Sequence, residues 1–200
     1  MVSEMRRFHL LAALLALPCA AHAHSASAWE EVRLHDLHGN PVRAAELADG
    51  PWILFVFIAR DCPVANRSVP ELNRLHQEFS ARGFSVHGVY VDISANAEQL
   101  RAHAADYELR FPVWQDKERF LVRFTGARVT PEAVIVDNGG NILYSGRVDD
   151  RFGGFGQSRP APVRRDLAEA MEALAAGSDK PVSGQPGFGC PIPEIIDECE

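Results

Sequence analysis

The amino-acid sequence predicts a three-layer α/β/α sandwich around a mixed sheet with a C-terminal antiparallel hairpin. Three observations point there. Trp52–Ile58 is an unbroken apolar run rich in β-branched and aromatic residues, the pattern of a strand covered on both faces. From there to Leu109 strand and helix signals alternate, which asks for parallel strands joined by crossover helices. Further on, two short apolar runs flank Asn138-Gly139-Gly140, a strong hairpin signal, and an amphipathic segment follows.

Taken in order, residues 32–36 read as an edge strand, His38-Gly39-Asn40-Pro41 as a turn and residues 42–47 as a second short element. After Trp52–Ile58 the chain reaches Cys62 and Pro63. A proline suits the first helical position, where its missing N–H has no partner to lose. The helix it opens carries Val69, Leu72, Leu75 and Phe79 at three- and four-residue spacing, with Pro70 as an internal kink and Gly83 near its end. Residues 85–91 form the next strand. Ser94 and Asn96 cap a helix over 97–109, whose Leu100, Ala104 and Tyr107 share a face. A short extended piece at 111–114, a short helix at 118–124 and strands at 133–137 and 142–146 lead to a last helix over 164–176, ended by Gly177. Residues 178–200, rich in Gly and Pro, read as an irregular extension.

A 200-residue chain supports one hydrophobic core plus tails. The expected organisation is a signal peptide and short linker at 1–28, one domain at 29–177, and a tail at 178–200 bearing Cys190 and Cys199. The leader carries Arg6 and Arg7, an apolar run over 10–17 and the small-residue site Ala21-His22-Ala23, so cleavage near Ala23 and a periplasmic or secreted product follow. That run is shorter than the ~20 residues a permanent membrane span needs. Cys19 follows Pro18 rather than a small residue, so no lipid anchor is expected. The formal net charge is −7, and loss of Glu4, Arg6 and Arg7 makes the remainder more acidic. Acidity of this kind argues against nucleic acid or anionic membrane as a partner.

Export to an oxidising compartment turns attention to cysteine. Cys62, Cys190 and Cys199 remain after cleavage, an odd number, so at least one is free or pairs between molecules. Residues 55–63 deliver Cys62 from a buried strand to a helix start, with Pro70 eight residues on. Val129-Thr130-Pro131 precedes a strand. Gly146-Arg147-Val148-Asp149-Asp150-Arg151-Phe152 is followed by Arg164-Arg165-Asp166-Leu167 and later by Gly189-Cys190-Pro191-Ile192.

With these motifs and this element order, the chain over residues 32–176 resembles the thioredoxin-like superfamily, in its exported redoxin (AhpC/TSA, TlpA-like) branch. The resemblance implies a thiol-disulfide oxidoreductase with Cys62 as nucleophile, Cys190 as resolving thiol, and Pro131 as a cis-proline facing the thiol and shaping the substrate groove. It further implies that Pro63, Val129 and Thr130 border the substrate, that the partners are a protein thiol or disulfide and an electron donor, and that no cofactor is used. There are departures. Relatives with Cys-x-x-Cys have a second cysteine where this chain has Ala65, and peroxiredoxins have Pro and Thr or Ser where it has Phe55 and Ala59, which weakens a thiol peroxidase reading.

The attacking species in disulfide exchange is the thiolate, and a free cysteine with pKa ~8.5 is mostly protonated near neutrality. A helix start favours an anion by ~0.3–1 kcal/mol, less than the ~1.4 kcal/mol that separates thiols differing by one in pKa. Arg60 acts with the helix and Asp61 against it. A structural cysteine buried for packing is the plainer alternative. Cys62 with Cys190 is open to two readings, a redox pair or a permanent staple worth up to ~4.7 kcal/mol in the chain-entropy model. Cys199 is expected to be exposed, free to resolve Cys62, pair with Cys190, or do neither.

Two non-catalytic roles compete. Copper handling would need Cys62 near His87, yet a copper-type Cys-x-x-x-Cys pair is broken at Asn66. A binding module that keeps the scaffold without turnover is the other. His76, His87 and His103 lack ligand spacing, so no metal site is assigned. Asp149-Asp150 is expected to be a turn with ion pairs to Arg147 or Arg151.

Overall fold

The computed structural model describes residues 26–154, 156–178 and 180–193. The expected signal sequence with Cys19 and Ala23, and Cys199 in the tail, lie outside them.

The elements are α1 (Ala26–Glu30), β1 (Arg33–His35), β2 (Pro41–Arg43), β3 (Trp52–Ile58), α2 (Pro63–Phe79), β4 (Phe84–Tyr90), α3 (Ala97–Asp106) and β5 (Val113–Gln115). They continue with α4 (Phe120–Thr125), β6 (Val129–Thr130), β7 (Glu132–Asp137), β8 (Ile142–Gly146), β9 (Phe152–Gly154), β10 (Gln157–Ser158), α5 (Asp166–Ala175), β11 (Val182–Ser183) and β12 (Cys190–Pro191). Eight strands form one sheet in the order β11-β8-β7-β3-β4-β5-β1-β2. β3 runs parallel to β4 and antiparallel to β7 over nearly its whole length, so it is central, as its apolar run requires.

Alternate side chains of β3 feed two cores. Leu54, Val56 and Ile58 pack with Leu72, Leu75 and Phe79 of α2, Leu100 of α3 and Leu167, Met171 and Leu174 of α5. Ile53, Phe55 and Phe57 pack with Trp29 of α1 and Leu121 and Phe124 of α4. The period-2 strand and period-3.6 helices thus meet in three layers. Among the described residues no helix is long and apolar enough to cross a membrane.

The differences from expectation are local. β1 is not the edge strand, because β2 pairs outside it in a tight turn in which Asp36 accepts from the backbone of His38 and Asn40. α3 stops short of Leu109, since Glu108 has a left-handed backbone (φ +52°) that no helix continues. α5 begins later than residue 164 because Asp150 holds the backbone N–H of Val163 and Arg164 outside the helix. Asp149 pairs with Arg151 as expected, whereas Arg147 pairs with Asp166 at 2.8 Å.

The largest difference is the tail, expected as an irregular extension. It adds β11 to β8 in parallel and lays β12 antiparallel on β6, pairing Cys190 with Thr130 and Pro191 with Val129. Glycine makes both contacts sterically feasible: a Cβ on Gly184 would lie 2.1 Å from the Ser145 carbonyl oxygen, and one on Gly189 only 1.9 Å from that of Thr130.

Candidate active site

The buried strand β3 ends at Ile58, and the loop over 59–62 turns the chain into α2. Cys62 is the N-cap: its sulfur accepts from the Ala65 N–H at 3.4 Å, and Pro63 stands at the first helical position. Polar contacts anchor this loop. Arg60 N–H donates to Asp92 (3.1 Å), and the Asn66 amide donates to the Arg60 carbonyl (2.9 Å). With its nitrogen so engaged, Asn66 offers its oxygen to His103 Nε2 (3.0 Å), while His103 Nδ1 lies 2.8 Å from the Tyr90 hydroxyl. Read in one direction, Tyr90 donates to His103, His103 to Asn66 and Asn66 to the loop, which assigns a neutral His103 protonated on Nε2. Burial holds the His103 pKa below the usual histidine value.

Across from Cys62, the Thr130–Pro131 peptide is cis. The Cys62 thiol donates to the Thr130 carbonyl at 2.9 Å. Cys190 arrives opposite Thr130 on β12, and its side chain lies beside Cys62 on a shared cavity. The six site residues proposed from the sequence therefore lie together, although β12 already occupies the backbone edge of Val129 and Thr130 expected to border a substrate.

Burial by itself pushes the Cys62 thiol up; hydrogen bonds from Cys190, Thr130 and the Ala65 N–H outweigh it and bring the pKa below the ordinary cysteine value. The Thr130 carbonyl works the other way, since it can bond only the protonated form. Arg60 and Asp61 are not among the main influences. Cys190 is pushed up to about 11 by burial, by its hydrogen bond to Cys62 and by the charge Cys62 carries when ionised.

A reactive thiol is expected to stand partly open to solvent, yet Cys62 is 1 % exposed, because Cys190 and β12 lie over it. A cavity of about 520 Å³ borders both cysteines and is lined further by Asp61, Asp92, Ser94, Arg119 and Pro193. Pro63 borders a second depression with Phe152 and Phe188 on the other side of Cys190.

The copper arrangement is not formed. His87 packs against Phe55 on the opposite side of the sheet from the core that holds Cys62, and its ring nitrogens face the Leu47 carbonyl and the Trp114 N–H. Sequence reading missed Arg119 altogether. It sits in a polar run, Lys117-Glu118-Arg119, with no periodicity to mark it, and only the fold turns it toward the cysteines.

A three-layer sandwich that sets a cap cysteine against a cis-proline defines a thioredoxin-like redoxin. The chain belongs to the AhpC/TSA family, whose model matches residues 26–145. Thiol-disulfide oxidoreductase ResA of Halalkalibacterium halodurans is 26% identical over 112 residues, which cover 55% of this chain and 61% of that protein. A hypothetical protein of Sinorhizobium meliloti 1021 superposes with a TM-score of 0.68 at 26% identity, covering 80% of this chain and 89% of that one. A secreted Mycobacterium tuberculosis disulfide oxidoreductase shares the fold, with a TM-score of 0.53 at 18% identity over 74% of this chain and 98% of that one.

Proposed function

We propose that this chain is an exported thiol-disulfide oxidoreductase whose redox pair is Cys62 and Cys190. The observation that carries the proposal is the meeting of the two cysteines beside the cis peptide at Pro131, Cys190 on the strand paired with Thr130 and the Cys62 thiol on the Thr130 carbonyl. In the reductive direction, the Cys62 thiolate attacks one sulfur of a substrate disulfide. A bond forms to Cys62, the substrate S–S bond breaks, and the departing sulfur leaves as a thiolate that takes up a proton. Cys62 is now neutral, which removes the charge that held the Cys190 proton in place. Cys190 loses that proton and attacks Cys62, forming the Cys62–Cys190 disulfide and releasing the second substrate thiol. The substrate gains two electrons and the pair loses two; a dithiol donor restores the pair.

The leader-like start of the sequence and the resemblance to exported redoxins support a periplasmic or secreted location. Phe55 and Ala59 lie in the buried strand and its exit, so no hydroxyl stands where peroxiredoxins have one, which favours disulfide over peroxide as the oxidant.

Mass spectrometry of the protein with and without reductant tests the pair: oxidation should join Cys62 to Cys190 with loss of two hydrogens. A Cys62→Ser variant should lose disulfide exchange, and Cys190→Ser should accumulate the mixed disulfide on Cys62. Unchanged exchange in Cys62→Ser ends the proposal.

A further inference from the structure

Arg119 is an unusual residue for its surroundings. Its backbone is left-handed (φ +59°), a conformation that favours glycine or asparagine. Its side chain is buried, with the residue 3 % exposed, yet Nε and Nη1 have no hydrogen-bond partner. Burial draws the guanidinium pKa down while Asp116 and Asp92 act to raise it. Neither carboxylate bonds it. Asp116 is taken up by the N–H groups of Val122 and Leu121, and Asp92 accepts from the Arg60 N–H. A buried donor without a partner is costly, and buried cations in proteins are ordinarily paired.

The unpartnered group is also in a telling place. Arg119 lines the same cavity as Cys62 and Cys190, whose other walls include Val91, Ile93 and Pro191. Its volume, about 520 Å³, lies in the range of small-ligand sites. A planar guanidinium with free donors matches a carboxylate, which it can hold with two parallel bonds. We propose that Arg119 is a specificity residue that binds a carboxylate carried by the disulfide substrate, beside the sulfur that Cys62 attacks. This rests on the oxidoreductase reading and adds the substrate class. Cys62 forms its bond to the sulfur beside the carboxylate that Arg119 holds, the substrate S–S bond breaks, and the other sulfur leaves as a thiolate that takes up a proton.

The test is single-turnover exchange of the reduced full chain with two disulfides, anionic dithiodipropionate and neutral hydroxyethyl disulfide, read as the ratio of their rate constants. Arg119→Gln should lower the anionic-to-neutral ratio at least about ten-fold, the size of one lost charge-assisted hydrogen bond. Arg119→Gly, which suits the left-handed backbone and so guards against misfolding, should lower it as much, and Arg119→Lys should restore part of it. A ratio unchanged in both neutral variants overturns the inference while leaving the oxidoreductase reading intact. Wild-type protein that exchanges with neither disulfide defeats that reading, and the inference with it. To separate a small acid from an acidic residue of a partner protein, a disulfide-linked peptide with Glu beside its cysteine is compared with its Gln counterpart. A Glu preference that Arg119→Gln abolishes supports the carboxylate site on a protein substrate, and preference for dithiodipropionate alone supports it on a small one.

Discussion

The two cysteines of the site come from regions built on different principles. Cys62 closes a strand buried on both faces and opens a seventeen-residue helix whose Leu72, Leu75 and Phe79 are fully buried. Cys190 rides on a two-residue strand, β12, held to β6 by a short ladder with an Ile192 N–H bond to the Arg128 carbonyl, and only Ile192 is buried beside it. Cys62 is therefore fixed with the global fold, whereas Cys190 sits on an element that can open locally without global unfolding. Such a division would suit the proposed redox pair, with a substrate sulfur reaching Cys62 when β12 lifts and the returning strand bringing Cys190 to the mixed disulfide.

Blocking the tail should break this contrast most strongly. In Gly189→Val the new side chain collides with the Thr130 carbonyl, so β12 cannot dock, and the Cys62–Cys190 disulfide should fail to form. Opening β12 costs a few backbone hydrogen bonds and the burial of Ile192, roughly 3–5 kcal/mol together, so alkylation of Cys62 should speed up by about a hundred-fold or more. Peptide mapping after timed iodoacetamide treatment measures it, and wild-type-like protection of Cys62 would falsify the account of its burial.

The opposite dissection touches the core. Leu72→Ala leaves a cavity under α2 and should lower the unfolding free energy by about 2–5 kcal/mol, read from a urea midpoint. Ile192→Ala should barely move that midpoint while speeding Cys62 alkylation. Equal losses of stability in the two variants would mean that the tail belongs to the same cooperative unit as the core.

Acid should weaken the core before the tail. Burial holds the His87 pKa below the ordinary histidine value of 6.5, with the Leu47 carbonyl and Asp49 opposing and His76 adding to the effect. The unfolded chain thus binds this proton more readily, so stability should fall as pH drops through 6.5 and level off above it. Urea midpoints between about pH 5 and pH 8 read the slope, which His87→Gln should flatten. The smallest effect lies at the cavity: Arg119→Gly relieves a left-handed side-chain position and removes an unpaired buried charge, so the thermal midpoint should rise by the equivalent of about 1 kcal/mol.

Much of this was legible from local signals. The double-sided burial of Trp52–Ile58 is written in its composition, the hairpin in Asn138-Gly139-Gly140, and the cap position of Cys62 in Pro63. Element ends were less legible, because Glu108 and Arg119 adopt left-handed backbones that their residue types do not announce. At the site, Cys62 was legible as a cap, yet its burial was not, since the cover comes from residues far along the chain. Nor did the sequence separate His87 from Cys62, because facing on a sheet depends on register.

By itself, the sequence determined the alternation of strands and helices, and hence a cysteine delivered by a core strand to a helix start, since hydrophobic period, capping and turn chemistry act over a few residues. Only the tertiary structure decided that the tail returns to β6, that Cys190 meets Cys62, and that Arg119 faces their cavity without a partner. Those contacts join segments distant in the chain, and their free energy depends on shape and register that no local pattern encodes.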